Sequence, residues 1–282
     1  MRKDVFLPIL ALAGGVVGFV LRYWQLATAL DQQAMLFRSG APATLVLIVS
    51  LAVLAAAILI LSRGGAIPTD YPKAFHCPST GYMTLMAAGG FLMFAAAALG
   101  FLEAVSQLHL WQAGLAPNLP IMPLLTAVLA VPAGMAALLL GKGNYRATLP
   151  PSHPLLAALP AYALLPWIVA LYQANSRQPE PMLFAFSLLG AICAEIGFYA
   201  AACFAFDRPR PKTCLASSLM AIVLMLTSLA DRPGFFYAVM CLSCVLLLLA
   251  QSYALLRSMF GPHWPKRLLK QADESPCHTQ QD

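Results

Sequence analysis

The sequence is poor in charge and has no long polar segment. Of its 282 residues only 10% are Asp, Glu, Lys or Arg and 60% are hydrophobic, whereas soluble domains are roughly one quarter charged. The apolar surplus therefore has to face lipid. No stretch between the apolar runs is long enough for a soluble domain, and no glycine-rich phosphate-binding loop is present. These absences exclude a nucleotide-binding module, so energy for any transport would have to come from a gradient or a partner chain.

Motifs for chemistry within the membrane are also missing. There is no HExxH or GxSxG motif, and every aspartate falls at the end of an apolar run or in a loop, so no aspartate pair could share a proton inside the bilayer. The five histidines lie in predicted loops or at helix ends, whereas a membrane haem needs axial ligands within the bundle. Cys241 and Cys244 have a spacing that metal or redox chemistry can use, but ordinary packing explains them as well. We therefore expect neither an enzyme nor a bound cofactor or metal.

Apolar runs long enough to cross a bilayer recur along the whole chain. A helix rises about 1.5 Å per residue, so roughly 20 apolar residues span the ~30 Å hydrocarbon core. Eight runs have about this length, near residues 5–29, 42–62, 81–103, 119–141, 154–174, 182–206, 213–230 and 235–257. The first run could be a signal peptide, but it is longer than the apolar region of a usual one, which favours an uncleaved helix. The sequence thus predicts an all-α polytopic membrane bundle of eight helices.

Basic residues predict the orientation of this bundle. Thirteen of the seventeen Lys and Arg residues lie on the side of the two chain termini, and only Arg38, Arg177 and Arg232 lie in the opposite loops. Short cytoplasmic loops carry an excess of Lys and Arg, so both termini are predicted to be cytoplasmic, in a bacterial cell membrane. The net charge of +6 follows from this bias and does not indicate nucleic-acid binding. On the opposite side, the turns near 30–41 and 104–118 are expected to be long.

The chain reads as one bundle followed by a short tail. Residues 1–257 form the predicted transmembrane domain, and the hairpins 5–65 and 81–143 are a possible duplication of the kind found in transporters. Two glycine pairs 75 residues apart suggest this repeat: Gly14-Gly15 and Gly89-Gly90. Apolar sequences of low complexity often resemble each other by chance, so chance similarity is the alternative explanation. The tail, 258–282, begins with Trp264 and basic residues that suit an interfacial anchor on lipid, and its end is expected to be disordered.

Three charged side chains fall within or at the edge of the spans: Arg22, Glu103 and Glu195. A charge near the bilayer centre costs at least ~2.5–3.5 kcal/mol, so it normally faces protein or a wet cavity and often has a partner. Each of the three lies on or beside a face of small residues that lets helices approach closely. We expect Arg22 to compensate Glu103 or Glu195, or both. The network could be structural, it could handle a substrate or a proton, or Arg22 could contact lipid headgroups.

Prolines give the fourth and fifth spans a different character. They lie at positions 120, 123, 132, 160 and 166 and should kink otherwise apolar helices. Tyr162, Trp167 and Gln173 lie among these kinks on the fifth span and are candidates to line a solute path. Loose packing of the bundle is the alternative interpretation of the same pattern.

These patterns leave two classes of function open. The buried charges, the broken helices and the possible duplication favour a permease for a small solute or a lipid. The absence of any recognisable site and the aliphatic second and eighth spans favour a non-catalytic anchor or assembly subunit. The expected partners are the lipid bilayer and either another membrane protein or a second copy of this chain.

Overall fold

The computed structural model describes residues 3–31, 36–38, 40–64, 74–115, 119–176, 178, 180–232 and 234–261. Eight long helices make up most of this part of the chain. They are α1 (Lys3–Thr28), α2 (Pro42–Leu61), α3 (Thr80–Gln112), α4 (Ile121–Arg146), α5 (His153–Asn175), α6 (Ala185–Ala205), α7 (Pro211–Ser228) and α8 (Phe235–Phe260). The predicted tail, 258–282, lies outside the described residues beyond Gly261.

All eight helices are long and apolar enough to cross a membrane. The predicted all-α, multi-pass bundle is therefore confirmed, and the helices coincide with the eight predicted runs. Each helix satisfies its own backbone hydrogen bonds, which is the condition for a chain segment to cross hydrocarbon. The cytoplasmic placement of the termini, the hairpin repeat and the kinks at the prolines stay predictions.

The third helix is longer than its apolar run. It continues from residue 103 to Gln112, so the expected long turn over 104–118 is wrong for most of its length. The polar residues after Glu103 end the apolar signal, but none of them breaks a helix. The chain leaves the helix only near Gly114, whose positive φ of 73° favours glycine.

A short β-hairpin connects the first two helices. Leu30 pairs with Phe37 and Asp31 with Leu36 in an antiparallel ladder, giving strands β1 (Leu30–Asp31) and β2 (Leu36–Phe37). Two-residue strands leave almost no periodic pattern in a sequence, and the long turn predicted over 30–41 did not include them.

Six of the helices form a ring. Each helix from α3 to α8 packs against the next one in the chain, and α3 also packs against α8, which closes the circle. The Ser243 hydroxyl on α8 donates a 2.8 Å hydrogen bond to the Gly89 carbonyl of α3. Helix α1 lies outside this ring against α7 and α8, and α2 contacts mainly α1.

Glycines allow the closest helix contacts of the ring. A Cβ at Gly134 of α4 would lie 3.1 Å from the Gly90 carbonyl oxygen of α3. At Gly190 of α6 it would lie 3.2 Å from the Met225 nitrogen of α7. Small residues at such contacts let two backbones approach and gain dispersion energy, which drives helix association where lipid removes the hydrophobic effect. The predicted small-residue face of α6 is therefore an interhelical contact.

Two ends of the bundle can be distinguished by an ion pair. Asp4 at the start of α1 accepts a 2.9 Å bond from Arg257 near the end of α8, so the first and last helices meet at one face. We call this the terminal face and the opposite one the distal face.

Candidate functional site

The ring opens into a cavity of about 850 Å³ at the distal face. All six ring helices or the turns adjoining them contribute to its wall, and the end of α1 lies alongside. On α5 the lining extends from Asn175 down to Trp167, a depth of about 12 Å at 1.5 Å per residue. We call this space the distal cavity.

The lining combines apolar and polar groups. Three charged residues, Glu103, Asp231 and Arg232, face the space from α3 and from the turn after α7. Amides and hydroxyls complete its polar part: Gln107, Gln173, Asn175, Gln178, Ser187 and Ser228. Such a mixture of apolar wall and a few polar groups is typical of sites for small molecules.

An aromatic pair forms the floor. The rings of Trp167 and Tyr237 lie 5.4 Å apart and both residues are buried. The Tyr237 hydroxyl lies 2.9 Å from the Ser228 hydroxyl, within hydrogen-bond distance. One turn further into the bundle, Leu164 and Met240 are fully buried, so the open space ends at this floor.

Arg22 binds a carboxylate, but not one of the two expected. Its Nε donates a 2.7 Å bond to Oδ1 of Asp231 in the turn after α7. The expectation of Glu103 or Glu195 as partner is therefore wrong. Asp231 ends a one-turn 3-10 helix, Leu229–Asp231, that continues directly from α7, so the carboxylate stays packed against the end of α1. A tight turn following an apolar run is the signal that could have identified it.

The two terminal nitrogens of the Arg22 guanidinium are also hydrogen-bonded. One terminal nitrogen donates to Oε1 of Gln25 at 2.7 Å and the other to the Met182 carbonyl at 3.0 Å. Its central carbon lies 4.9 Å from the centre of the Phe186 ring, a distance at which a cation is attracted to an aromatic face. Arg22 is completely buried, and every one of these contacts helps to compensate its charge.

Gln25 extends this network to a further helix. Its Nε2 donates to the Thr44 hydroxyl of α2 at 2.9 Å, and the side chain is completely buried. The network thus joins α1, α2, the start of α6 and the end of α7. Sequence reasoning missed Gln25, although it follows Arg22 by one helical turn and therefore lies on the same face.

The two glutamates occupy different surroundings. Glu103 lines the distal cavity, where its Oε1 lies 3.4 Å from Gln107 Nε2. Glu195 is half-buried on α6, does not line this cavity, and has no hydrogen bond or ion pair to any described residue. The three charges expected to form one network are therefore not brought together, because the partner of Arg22 is Asp231.

Of the three residues predicted to line a solute path, two line the distal cavity and one does not. Trp167 and Gln173 line the distal cavity, and their role in a solute path stays a prediction. Tyr162 is 56% exposed on the outer surface of the ring and does not line the cavity. Trp167 follows Tyr162 by five positions, about 140° round the helix, so the two side chains lie on different faces. Pro120 and Pro123, expected to interrupt the fourth span, instead lie at the start of α4, beside the cavity.

Cysteines and possible metal ligands give no second site. Within the described ranges no three His, Cys, Asp or Glu side chains come together as a metal site. Cys241 and Cys244 are buried among apolar residues of the core. At the terminal face, burial raises the pKa of the Cys77 thiol to about 12, so it stays protonated and unreactive near neutral pH.

The fold and the cavity together define a multi-pass α-helical membrane protein with a solute-sized cavity inside a six-helix ring. No known family model matches the chain, and no curated protein or solved structure matches it either.

Proposed function

We propose that this protein is a permease for a small solute in a bacterial cytoplasmic membrane. The observation that carries the proposal is the distal cavity, a space of about 850 Å³ with a mainly apolar wall and several polar side chains, inside a ring of apolar helices. Binding sites for small molecules have volumes of roughly 300–1,000 Å³ and a mainly apolar wall with a few placed polar groups. Sites of transporters commonly lie between helices, inside the membrane.

Polar side chains inside a membrane bundle need a function or a partner. Gln173 and Glu103 line the cavity with exposed side chains, whereas Arg22 is completely buried and paired with Asp231. Their polar atoms are available to a solute and to water. This contrast supports a binding role for the cavity rather than a merely structural one.

The Arg22 network has a supporting role in this proposal. It fixes the end of α1 against the turn after α7 and against the start of α6, and both of those elements contribute to the cavity wall. Arg22 itself does not line the cavity. We therefore assign it to positioning the wall rather than to contact with the solute.

The predicted orientation places the distal cavity on the outer side of the cell membrane. This follows from the basic loops on the terminal side. The cavity then is open to the exterior and closed toward the cytoplasm by the buried residues below Trp167 and Tyr237. Solute movement would be driven by a gradient or by a partner chain, since the sequence contains no nucleotide-binding loop.

Uptake by the purified protein in lipid vesicles tests the proposal. Vesicles with and without protein are exposed to a defined mixture of sugars, polyols, amino acids and organic acids, and their contents are identified by mass spectrometry. We expect at least one compound to be enriched and the enrichment to fall at least tenfold in Trp167→Ala. The matched control is Tyr162→Ala on the outer face of the same helix. Monodisperse protein that enriches no compound would refute the proposal.

A second function is favoured by one observation on α2. Only Ala43, Leu47, Leu51 and Ile58 of this helix are buried, so most of its aliphatic side chains are available to lipid or to another protein. An anchor or assembly subunit would use this face for a membrane partner or for a second copy of the chain. If the protein can be purified from the membrane only in complex with a second protein, and substitutions on α2 release that partner, the result favours the anchor function over the permease function.

A further inference from the structure

A second, much smaller cavity lies in the same ring at the terminal face. Its volume is about 20 Å³, enough for roughly one water molecule. It lies between the terminal halves of α3, α4, α5, α6 and α8, five of the helices that also form the distal cavity. We call it the terminal chamber.

Two hydrogen-bond acceptors in the terminal chamber have no partner within the described part of the chain. Oδ1 of Asn144 and Oε1 of Gln251 are buried without a partner, and both residues line the chamber. Asn144 is 93% buried, and its Nδ2 donates to the Tyr82 hydroxyl at 3.0 Å, which leaves its oxygen free. A buried acceptor without a partner is costly and rare, so two beside one small space indicate a group that binds there.

Aromatic side chains cover the chamber. Phe75 and Phe204 meet edge to face with their ring centres 5.2 Å apart, and both line the chamber. Phe75 belongs to a non-helical segment before α3 that is held by the end of α4. The Cys77 amide donates to the Asn144 carbonyl at 3.2 Å, and His76 Nδ1 lies 2.7 Å from the same oxygen. The described part of this segment, residues 74–79, is thus attached to the end of α4 beside the chamber.

Among the described residues that line the chamber there is no carboxylate, lysine or arginine, and His153 is the one titratable side chain. A charged solute would find no compensating charge among these lining residues, and an uncompensated charge inside a membrane protein is unfavourable. A neutral solute with hydroxyl or amide donors would instead satisfy the two free oxygens. The chemistry of the chamber thus selects among the solutes that the distal cavity could admit.

We propose that the terminal chamber is the closed second binding station of the permease, and that its solute is neutral and rich in hydrogen-bond donors. When Phe75 and Phe204 separate, Asn144 Oδ1 and Gln251 Oε1 accept hydrogen bonds from the solute on its way to the terminal face. This inference rests on the proposed function. It adds the class of solute, and it identifies Phe75 and Phe204 as the gate on the terminal side.

The first test replaces one acceptor by an apolar side chain of similar shape. Gln251→Met removes an unsatisfied oxygen, so we expect the protein to unfold about 2 °C or more above the native protein, while uptake of the solute falls at least fivefold. Ser252→Ala is the matched control, because Ser252 on the same helix also has a buried oxygen without a partner but does not line the chamber. It should leave uptake unchanged.

The outcomes separate this inference from the permease function. A more stable Gln251→Met protein with undiminished uptake would mean that the chamber holds water only, and a less stable one would mean a structural role; either result overturns the inference. Uptake of charged compounds but of no neutral polyol, sugar or amide would overturn it while the permease function stands. Among neutral compounds, separate polyol and amide mixtures identify which donor is used. No uptake at all would refute both proposals.

Cys77 reports opening of the gate independently. Burial keeps its thiol protonated, whereas an exposed cysteine has a pKa of about 8.5 and reacts through its thiolate. In a protein that retains only this cysteine, labelling by a membrane-impermeant maleimide from the terminal side should be slow. A transported solute at saturating concentration should accelerate it at least threefold. Labelling that the solute leaves unchanged, in protein shown to transport it, would contradict an opening at Phe75.

Discussion

The distal and terminal halves of the six-helix ring are built from the same helices but pack differently. In the distal half the helices leave about 850 Å³ between them, and in the terminal half about 20 Å³. Deep in the ring, Gly90 and Gly134 bring α3 and α4 into backbone contact. At the distal end the same two helices contribute Glu103, Gln107 and Pro123 to the cavity wall. The ring is thus narrow where the backbones of α3 and α4 touch, and it is open at the distal end, where small, polar and bulky residues all contribute to the wall.

The two ion pairs of α1 extend the comparison to both faces. Arg22 binds Asp231 at the distal face, and Asp4 binds Arg257 at the terminal face. Both pairs attach α1 to the ring, but only the first adjoins the distal cavity. Substitutions at the two faces should therefore separate stability of the bundle from the shape of its cavity.

The largest expected effect is from Arg22→Leu. Removing one member of a buried ion pair leaves the other charge without compensation, which typically costs 3–5 kcal/mol, and we expect a loss of about 3 kcal/mol here. Unfolding of the purified protein in detergent measures it. The double variant Arg22→Leu, Asp231→Leu should recover at least half of the loss, because it removes both charges. If the single variant loses under about 1 kcal/mol, the pair does not hold the distal half together.

Trp167→Ala tests the floor between the two halves. Truncating a buried Trp typically costs 3–5 kcal/mol in a packed core, and we expect about 2–3 kcal/mol because one side of this ring faces the cavity. Tyr162→Ala on the lipid side of α5 should cost under about 1 kcal/mol. The same unfolding measurement compares them. Equal losses at both positions would mean that Trp167 is not part of a packed floor.

Gly134→Leu tests the closure by small residues. The new side chain would collide with the Gly90 carbonyl and the Phe94 ring, and overpacking of this kind costs about 1–3 kcal/mol. Gly81→Leu is the control, since a Cβ there meets only the Ser79 hydroxyl at 3.7 Å. Thermal unfolding of both variants gives the comparison. A Gly134→Leu protein as stable as the control would refute backbone contact between α3 and α4.

Glu195→Gln should have the smallest effect. The carboxylate has no partner among the described residues and lines neither cavity, so we expect unchanged uptake and a stability within about 0.5 kcal/mol of the native protein. Uptake into vesicles and thermal unfolding measure the two quantities. Loss of uptake in a folded variant would contradict this expectation and would indicate that Glu195 takes part in solute transport.

The helices were predictable because membrane crossing leaves a strong local signal. Each of the eight runs combines the length of a spanning helix with apolar composition, and a helix satisfies the backbone hydrogen bonds of such a run in lipid. The extension of α3 to Gln112 was not predictable in this way, because its last residues are polar and lie beyond the apolar run. The β-hairpin near Leu30 was missed because its strands are too short for a periodic pattern.

The candidate site was predictable only in part. Trp167 and Gln173 were identified because polar and aromatic side chains stand out on an apolar helix with prolines. The partner of Arg22 was not, because Asp231 lies near the other end of the chain and its position depends on how α1 packs against α7. Gln251 and Asn144 carry no local signal, since only packing reveals which polar atoms remain without a partner. Local sequence thus predicts the spans, and tertiary contacts determine the site.

Chemical accessibility along the ring tests most directly whether water enters from the distal face and stops at the floor. Three variants each carry a single cysteine, at Gln173, Ser187 or Ala194. Gln173 and Ser187 line the distal cavity, and Ala194 is fully buried deeper on α6. Each variant is treated with a membrane-impermeant maleimide on each side of the membrane. We expect the first two to react from the distal side alone and the third to react from neither. Equal reaction at all three positions, or none at Gln173 and Ser187, would contradict a distal cavity closed toward the terminal face.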